Sequence, residues 1–170
     1  QILDLRGGKM KFRVIVRAPV LSMSGYGEQA RFALRALRKH EDKFDIYIIP
    51  IPWGNTNWIS EDDEERDWLD KKIRQTSLLL QAEKNPQFDM SLQITIPNEF
   101  QDMARINVGY TAGIETTRVA PVWLEKSNMM DRLIVISGHS KNVFTSSAYE
   151  AVHKETGQKT VMKLELLRWL

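Results

Sequence analysis

The residues best suited to chemistry lie at glycine-bearing breaks between apolar runs. The first break, Ser22-Met-Ser-Gly-Tyr-Gly-Glu-Gln29, separates a β-like run from a strongly helical one. Two glycines let a backbone turn sharply and approach a ligand, and the helix that follows offers unpaired N–H groups and the positive end of its dipole. Ser24, Gly25, Tyr26, Gly27 and Glu28 are therefore candidate contacts for an anion or a sugar phosphate. Gly-x-Gly without a third glycine equally describes an ordinary tight β-to-α turn. A second break, Ala112-Gly-Ile-Glu115, offers Gly113 and a carboxylate, Glu115. A third, Ser137-Gly-His-Ser140, offers Ser137 and His139, histidine being the commonest general acid or base. The plain alternative for His139 is a helix-start side chain bonded to a neighbouring loop. Asn98 and Glu99 close a further strand after Pro97.

The loop Pro50-Ile-Pro-Trp-Gly-Asn-Thr-Asn-Trp58 combines turn formers with Trp53, Trp58 and two amides. Aromatic faces stack on the C–H faces of a sugar while amides serve its hydroxyls, so this loop is a candidate sugar platform; packing on the protein itself is the ordinary fate of such tryptophans. Ser60-Glu-Asp-Asp-Glu-Glu65 invites a metal, but a helix start with a capping box at Ser60 explains it better. No metal site is expected: there is no cysteine and no His-Glu-x-x-His spacing. A triad drawn from Ser137, His139 and an aspartate lacks a nucleophile-elbow pattern, and His153 is a weaker candidate still.

Positioning these residues requires alternating strands and helices. Phe12–Ala18 reads as a first, central strand, incompletely buried because of its two arginines. Ala30, Ala33, Leu34 and Leu37 fall on one face of a helix, with Arg31, Arg35, Arg38 and Lys39 on a solvated face. A second strand covers residues 44–49, and Leu69, Ile73, Thr76 and Leu80 mark a packing stripe on a helix running to about Glu83. Residues 90–96 alternate apolar with polar, which predicts a strand at or near a sheet edge. Residues 106–111 and 133–136 read as further strands, with Pro121 opening a helix between them and Gly138 opening one after them. The tail, residues 148–170, reads as a hairpin around Gly157 appended to the α/β unit, and residues 164–170 are unusually apolar. The pattern predicts an α/β fold: a three-layer, mostly parallel, Rossmann-like sheet with its functional loops on one edge, plus a C-terminal β-hairpin.

Composition bounds the remaining possibilities. A chain of 170 residues, 42% hydrophobic, suffices for one domain with a substantial core. Twenty-four basic and 22 acidic residues give a net charge of +2, which offers no global field for nucleic acid or an anionic membrane. No apolar run is long enough to span a bilayer, and residues 1–9 lack a signal-peptide core. Without cysteine there are no disulfides, and a cytoplasmic location is expected. Met10 reads as the native start, with residues 1–9 as a leader, residues 10–147 as the Rossmann-like unit and residues 148–170 as the hairpin and tail.

Several motifs in order carry a resemblance: Ser24-Gly-Tyr-Gly-Glu-Gln-Ala-Arg31, Gly109-Tyr-Thr-Ala-Gly-Ile-Glu-Thr116, Pro121-Val-Trp123, Met130-Asp-Arg-Leu-Ile-Val-Ile-Ser137 and Lys141-Asn-Val-Phe144. Over residues 12–147 the chain resembles the N-terminal, acceptor-side half of retaining glycosyltransferases of GT-B architecture (group 1, family 4-like). The resemblance implies transfer of a sugar from a nucleotide-sugar to the hydroxyl of an acceptor sugar or glycan. It implies front-face displacement, in which stabilisation of the departing diphosphate matters more than a protein base. The chain departs from the family pattern in lacking the donor-binding half and its paired glutamates. The resemblance therefore implies a tail whose apolar face meets a C-terminal domain or another subunit, and little activity without that half. With a strand order of 3-2-1-4-5, residues 24–27 and 113–115 would face each other across the crevice. The alternative is a non-enzymatic α/β module that binds a nucleotide or a sugar; a second α/β half downstream would separate the two.

Overall fold

The computed structural model describes residues 11–60, 62–113, 115–152 and 157–165. In chain order these form β1 (Phe12–Ala18), α1 (Gly25–Arg38), β2 (Phe44–Pro50), α2 (Glu64–Ala82), β3 (Met90–Ile94), β4 (Ile106–Thr111), α3 (Pro121–Ser127), β5 (Arg132–Val135), α4 (Gly138–Ser146), β6 (Ala148–Val152) and β7 (Lys159–Lys163). A single 3-10 turn, Pro97–Glu99, follows β3. Strands β1 to β5 form one parallel sheet, and β6 and β7 form an antiparallel hairpin. The fold is thus the expected Rossmann-like α/β arrangement with a C-terminal hairpin. Residues 1–10, His153 and residues 166–170, including most of the apolar tail, lie outside the described residues.

The sheet order is β2-β1-β3-β4-β5 rather than the expected 3-2-1-4-5. The chain reverses direction across the sheet between β1 and β3, which moves the switch point away from the expected β1–β4 boundary. β3 is accordingly the central strand and not an edge strand. Its alternating polar side chains are buried because the segment after the 3-10 turn folds back and supplies partners. Ser91 Oγ donates to Asn107 Oδ1 at 2.7 Å, and the Gln93 amide both donates to the Gln101 carbonyl (2.6 Å) and accepts from its N–H (2.9 Å). Asn107 Oδ1 also accepts from the N–H groups of Met103 and Ala104. A polar strand face satisfied in this way sits in a core without the cost of orphaned groups.

One face of the sheet presents Val14, Val16, Ile46, Ile48, Leu92 and Ile94 to Ala30 and Leu34 of α1 and Leu69 of α2. The other carries Ile15, Tyr47 and Phe88, and beyond them Phe100, Leu124, Leu133 and Phe144. Phe100 fits against β4 because position 109 is glycine; a Cβ there would stand 2.6 Å from its ring. The α2 stripe differs in detail from expectation, since Leu80 is exposed and Leu79 packs near Ile15 and Tyr47 instead. Thr76 closes the β2 edge: its hydroxyl accepts from the Ile48 N–H at 2.8 Å and donates to the Lys72 carbonyl at 2.8 Å. A helix covering an edge strand removes a row of unpaired backbone groups from solvent.

Helix α2 starts later than its acidic run suggests. Its cap is Asp63, whose Oδ1 accepts from the Arg66 N–H at 2.8 Å, and not Ser60. The chain before it is held extended: the Met23 N–H donates to the Asn57 carbonyl (2.8 Å) and the Ile59 N–H to the Leu21 carbonyl (2.9 Å). Those bonds forbid helical geometry until the loop is released. Gly157, two residues before β7 in the hairpin, has φ of +66°. The hairpin is docked on the α/β unit, where Tyr149, Met162 and Leu164 pack on the Phe100–Phe144 cluster. Tyr149 Oη donates to the Val119 carbonyl at 2.7 Å, and Asn128 Nδ2 donates to the Lys163 carbonyl at 2.8 Å. Among the described residues no helix is long and apolar enough to cross a membrane.

Candidate functional site

The β1–α1 connection is held by its own side chains. Ser24 caps α1, its Oγ accepting from the Gly27 N–H at 3.1 Å, and Ser22 Oγ meets Thr56 Oγ1 at 2.7 Å. Neither Gly25 nor Gly27 adopts a positive φ, so the expected glycine turn is instead the first turn of α1. A Cβ on Gly27 would stand 2.1 Å from the Ser22 carbonyl oxygen, whereas one on Gly25 would meet nothing within 4 Å. The close approach that Gly27 permits is therefore to the chain's own backbone, not to a ligand.

Arg31 is a second correction: it is buried, not on the solvated face. Its Nη1 donates to the Val20 carbonyl (2.9 Å) and the Ser22 carbonyl (2.8 Å), and its Nε and Nη2 donate to Glu28 Oε2. Among the described residues those carbonyls have no helix or ladder partner, and the Arg31 guanidinium supplies their donor from α1. The Arg31 hydrogen bond holds the Glu28 carboxyl below its usual range, against a desolvation that pushes it up, with Arg35 adding to the effect. Glu28 is thereby committed to an ion-pair network that continues through Arg35 to Glu65 (2.6 Å).

Tyr26 joins two of the stretches singled out from sequence. Its hydroxyl lies 2.8 Å from Thr111 Oγ1 and accepts from the Ala112 N–H at 3.1 Å, so α1 reaches the end of β4 across the intervening β3. Its ring also lies against Trp53, with centroids 4.7 Å apart. Gly113 has φ of +83° and faces Ser140, while Glu115 is exposed and forms no ion pair among the described residues. Ser137 caps α4 by accepting from the Ser140 N–H at 3.1 Å, and His139 is exposed on the first turn of that helix. Ser137 borders a separate groove of about 270 Å³ along β5, so this pair is not brought to the same place as Tyr26 and Trp53.

A cleft of about 690 Å³ opens above the carboxyl ends of β1, β2 and β3. It lies at the point where the strand order reverses, the place at which open α/β sheets receive ligands. Trp53, Gly54 and Thr56 come from the loop after β2, Arg17 from the end of β1, and Thr95 and Glu99 from the segment after β3. Arg17 Nη1 donates to the Glu99 carbonyl at 2.8 Å, and its Nη2 lies 3.5 Å from Glu99 Oε2. Thr56 Oγ1 donates to the Trp53 carbonyl at 2.8 Å, which shapes the loop at Gly54, where φ is +51°. Asn98 lies half-buried in the 3-10 turn beside Glu99. Trp58 does not line this cleft: its main chain bridges to Ser22, and its indole is exposed.

Of the sequence candidates, the cleft gathers Trp53 and Glu99, with Tyr26 behind the indole. Arg17, Thr56 and Thr95 were not singled out as ligand contacts. Arg17 had one usable signal, a charged residue at the last turn of an apolar strand just before Pro19, and it reads first as mere exposure. Among the described residues no three His, Asp or Glu side chains are grouped to hold a metal ion. Comparison with protein-family models, curated proteins and solved structures finds no match to this chain.

Proposed function

We propose that this chain is the acceptor-side unit of a glycosyltransferase and that the cleft above β1–β3 holds the acceptor sugar. The observation that supports this reading best is the half-buried indole of Trp53 standing beside the polar groups of Arg17, Thr56 and Glu99 at the switch point. An indole face matches the C–H face of a pyranose, and hydroxyl and carboxylate oxygens satisfy its hydroxyl groups. The nucleotide-sugar and most of the stabilisation of its departing diphosphate belong to a donor-binding unit, in the same polypeptide or in another subunit. In this reading the chain contributes orientation: it holds an acceptor hydroxyl in line for front-face attack.

The test is a titration of mono- and disaccharides followed by tryptophan fluorescence and saturation-transfer NMR, on the wild type, Trp53→Ala and Trp58→Ala. Saturation transfer to sugar C–H protons is expected in the wild type. Trp53→Ala should weaken binding by about tenfold, the loss of one aromatic contact, and Trp58→Ala should leave it unchanged. Equal binding by wild type and Trp53→Ala overturns the placement. Sugar binding without any transfer by the complete reading frame, supplied with nucleotide-sugars, identifies a binding module instead of a transferase unit.

A further inference from the structure

We propose that the floor of this cleft is an oxyanion subsite, so that the sugar it takes carries a carboxylate or a phosphate group. The inference rests on the acceptor-cleft reading above and adds the chemical class of the acceptor. It comes from the spare donors of the Arg17 guanidinium and from Thr95, on which stacking against Trp53 does not depend.

Arg17 is the penultimate residue of β1, its side chain only 11% exposed and in register with Gln93 of β3. A guanidinium has five N–H donors in a planar fork. Among the described residues its hydrogen bonds go to Glu99 alone, one to the carbonyl at 2.8 Å and one to the carboxylate at 3.5 Å. The short bond is to the backbone and fixes the guanidinium; the long one is to a carboxylate that is 48% exposed. Elsewhere the same pairing closes tightly, as where Arg35 grips both oxygens of Glu65 at 2.6 and 2.8 Å. Arg17 is thus a nearly buried cation with donors in hand and a loosely held counter-ion at the mouth of a cleft.

Thr95 is the independent second observation. It lines the same cleft, is fully buried, and its hydroxyl has no hydrogen-bond partner among the described residues. Buried hydroxyls are ordinarily satisfied, so an orphan in the wall of a cleft that also holds an under-used guanidinium marks a place for an acceptor oxygen. A carboxylate or phosphate takes two guanidinium N–H donors in the fork geometry that a neutral hydroxyl cannot match, and the Thr95 hydroxyl donates to it. On binding, the ligand oxyanion displaces the Glu99 carboxylate toward solvent, while the Glu99 carbonyl keeps Arg17 aligned.

Calorimetric titration with glucose, glucuronate, glucose 6-phosphate and inorganic phosphate tests this on the wild type, Arg17→Gln, Glu99→Ala and Trp53→Ala, each checked for a cooperative melt. At least one anionic sugar should bind wild type about ten- to about a hundredfold more tightly than glucose, the range of a charge-assisted hydrogen-bond pair. Glucuronate against glucose 6-phosphate separates carboxylate from phosphate. Arg17→Gln should abolish the preference, and Glu99→Ala, which removes the competing carboxylate and keeps the carbonyl, should enlarge it. The two variants have opposite signs, so general damage to the cleft cannot imitate the result. Equal affinity for glucose and both anionic sugars, with Trp53→Ala weakening all three, overturns the oxyanion subsite and leaves the acceptor cleft standing. Binding of no sugar at all overturns both, and inorganic phosphate binding that survives Arg17→Gln assigns the anion to another place and overturns the subsite.

Discussion

Two glycines in one helical turn should respond to the same substitution in opposite directions. Alanine at Gly25 meets open space, and at a negative φ it removes only the excess freedom of glycine in the unfolded chain. That change stabilises by up to about 1 kcal/mol. Alanine at Gly27 gains a similar helix preference, but its Cβ would stand 2.1 Å from the Ser22 carbonyl oxygen, 2.9 Å from the Ser22 carbonyl carbon and 3.1 Å from the Pro19 carbonyl oxygen. These are backbone atoms, already engaged by Arg31 and by the Ser22 N–H bond to Pro19, so no rotamer change relieves the contact. The helix start must move instead. Overpacking costs about 1–3 kcal/mol and more when backbone is displaced, which outweighs the propensity gain and leaves a net loss of about 2 kcal/mol. For a chain of this length that lowers Tm by about 4–8 °C, while Gly25→Ala holds or raises it by about 2 °C. Thermal and urea unfolding of the two variants side by side is the measurement. Gly27→Ala melting at or above wild type, or both variants falling equally, would refute the close-approach account. Displacement of the helix also draws the Tyr26 hydroxyl from Thr111, so Gly27→Ala should lose sugar binding more than its stability alone implies.

Further outcomes follow from single hydrogen bonds. Thr76→Val preserves shape but leaves the buried Ile48 N–H without its acceptor, and should cost about 1–3 kcal/mol in urea unfolding, whereas Thr76→Ser should retain most of the stability. Glu28 has its carboxyl held below 4.5 in the folded state, chiefly by the Arg31 hydrogen bond, so its pairing stabilises fully above that value and is lost as pH falls through the lowered one. The stability difference between wild type and Glu28→Gln should therefore be present at pH 6 and shrink below about pH 4.5, with a size of about 0.2–1 kcal/mol because the side chain is half exposed and screened.

Most elements were legible because their signals are local. The apolar run of β1 closed by Pro19, Pro121 at the first position of α3, Ser137 capping α4 and Gly157 in the hairpin each act within a few residues. The position of β3 was not legible. Its Ser91 and Gln93, with Thr95 just beyond, alternate as a solvated edge strand does, and the partners of Ser91 and Gln93, Asn107 and Gln101, lie 16 and 8 residues away in sequence. Strand order is likewise non-local, and the error displaced the anticipated crevice by one strand. Arg31 was misplaced for a similar reason, since a basic residue on a helix reads as solvated unless the orphan carbonyls of Val20 and Ser22 are known to lie beneath it. In the site, the aromatic and turn residues around Trp53 were visible as a type, but Arg17 and Thr95 acquire meaning only when β1 and β3 become neighbours.

The Thr76 contact gives the sheet a direction. With α2 laid along β2, strand addition is closed on that flank, whereas among the described residues no strand pairs with the outer side of β5 on the opposite flank, beside an exposed Ile136. Any lateral growth of the sheet, productive or aggregating, must therefore be one-sided. Charges introduced along residues 132–136 would guard solubility, and the same charges along residues 44–50 would guard nothing, because a helix already stands there.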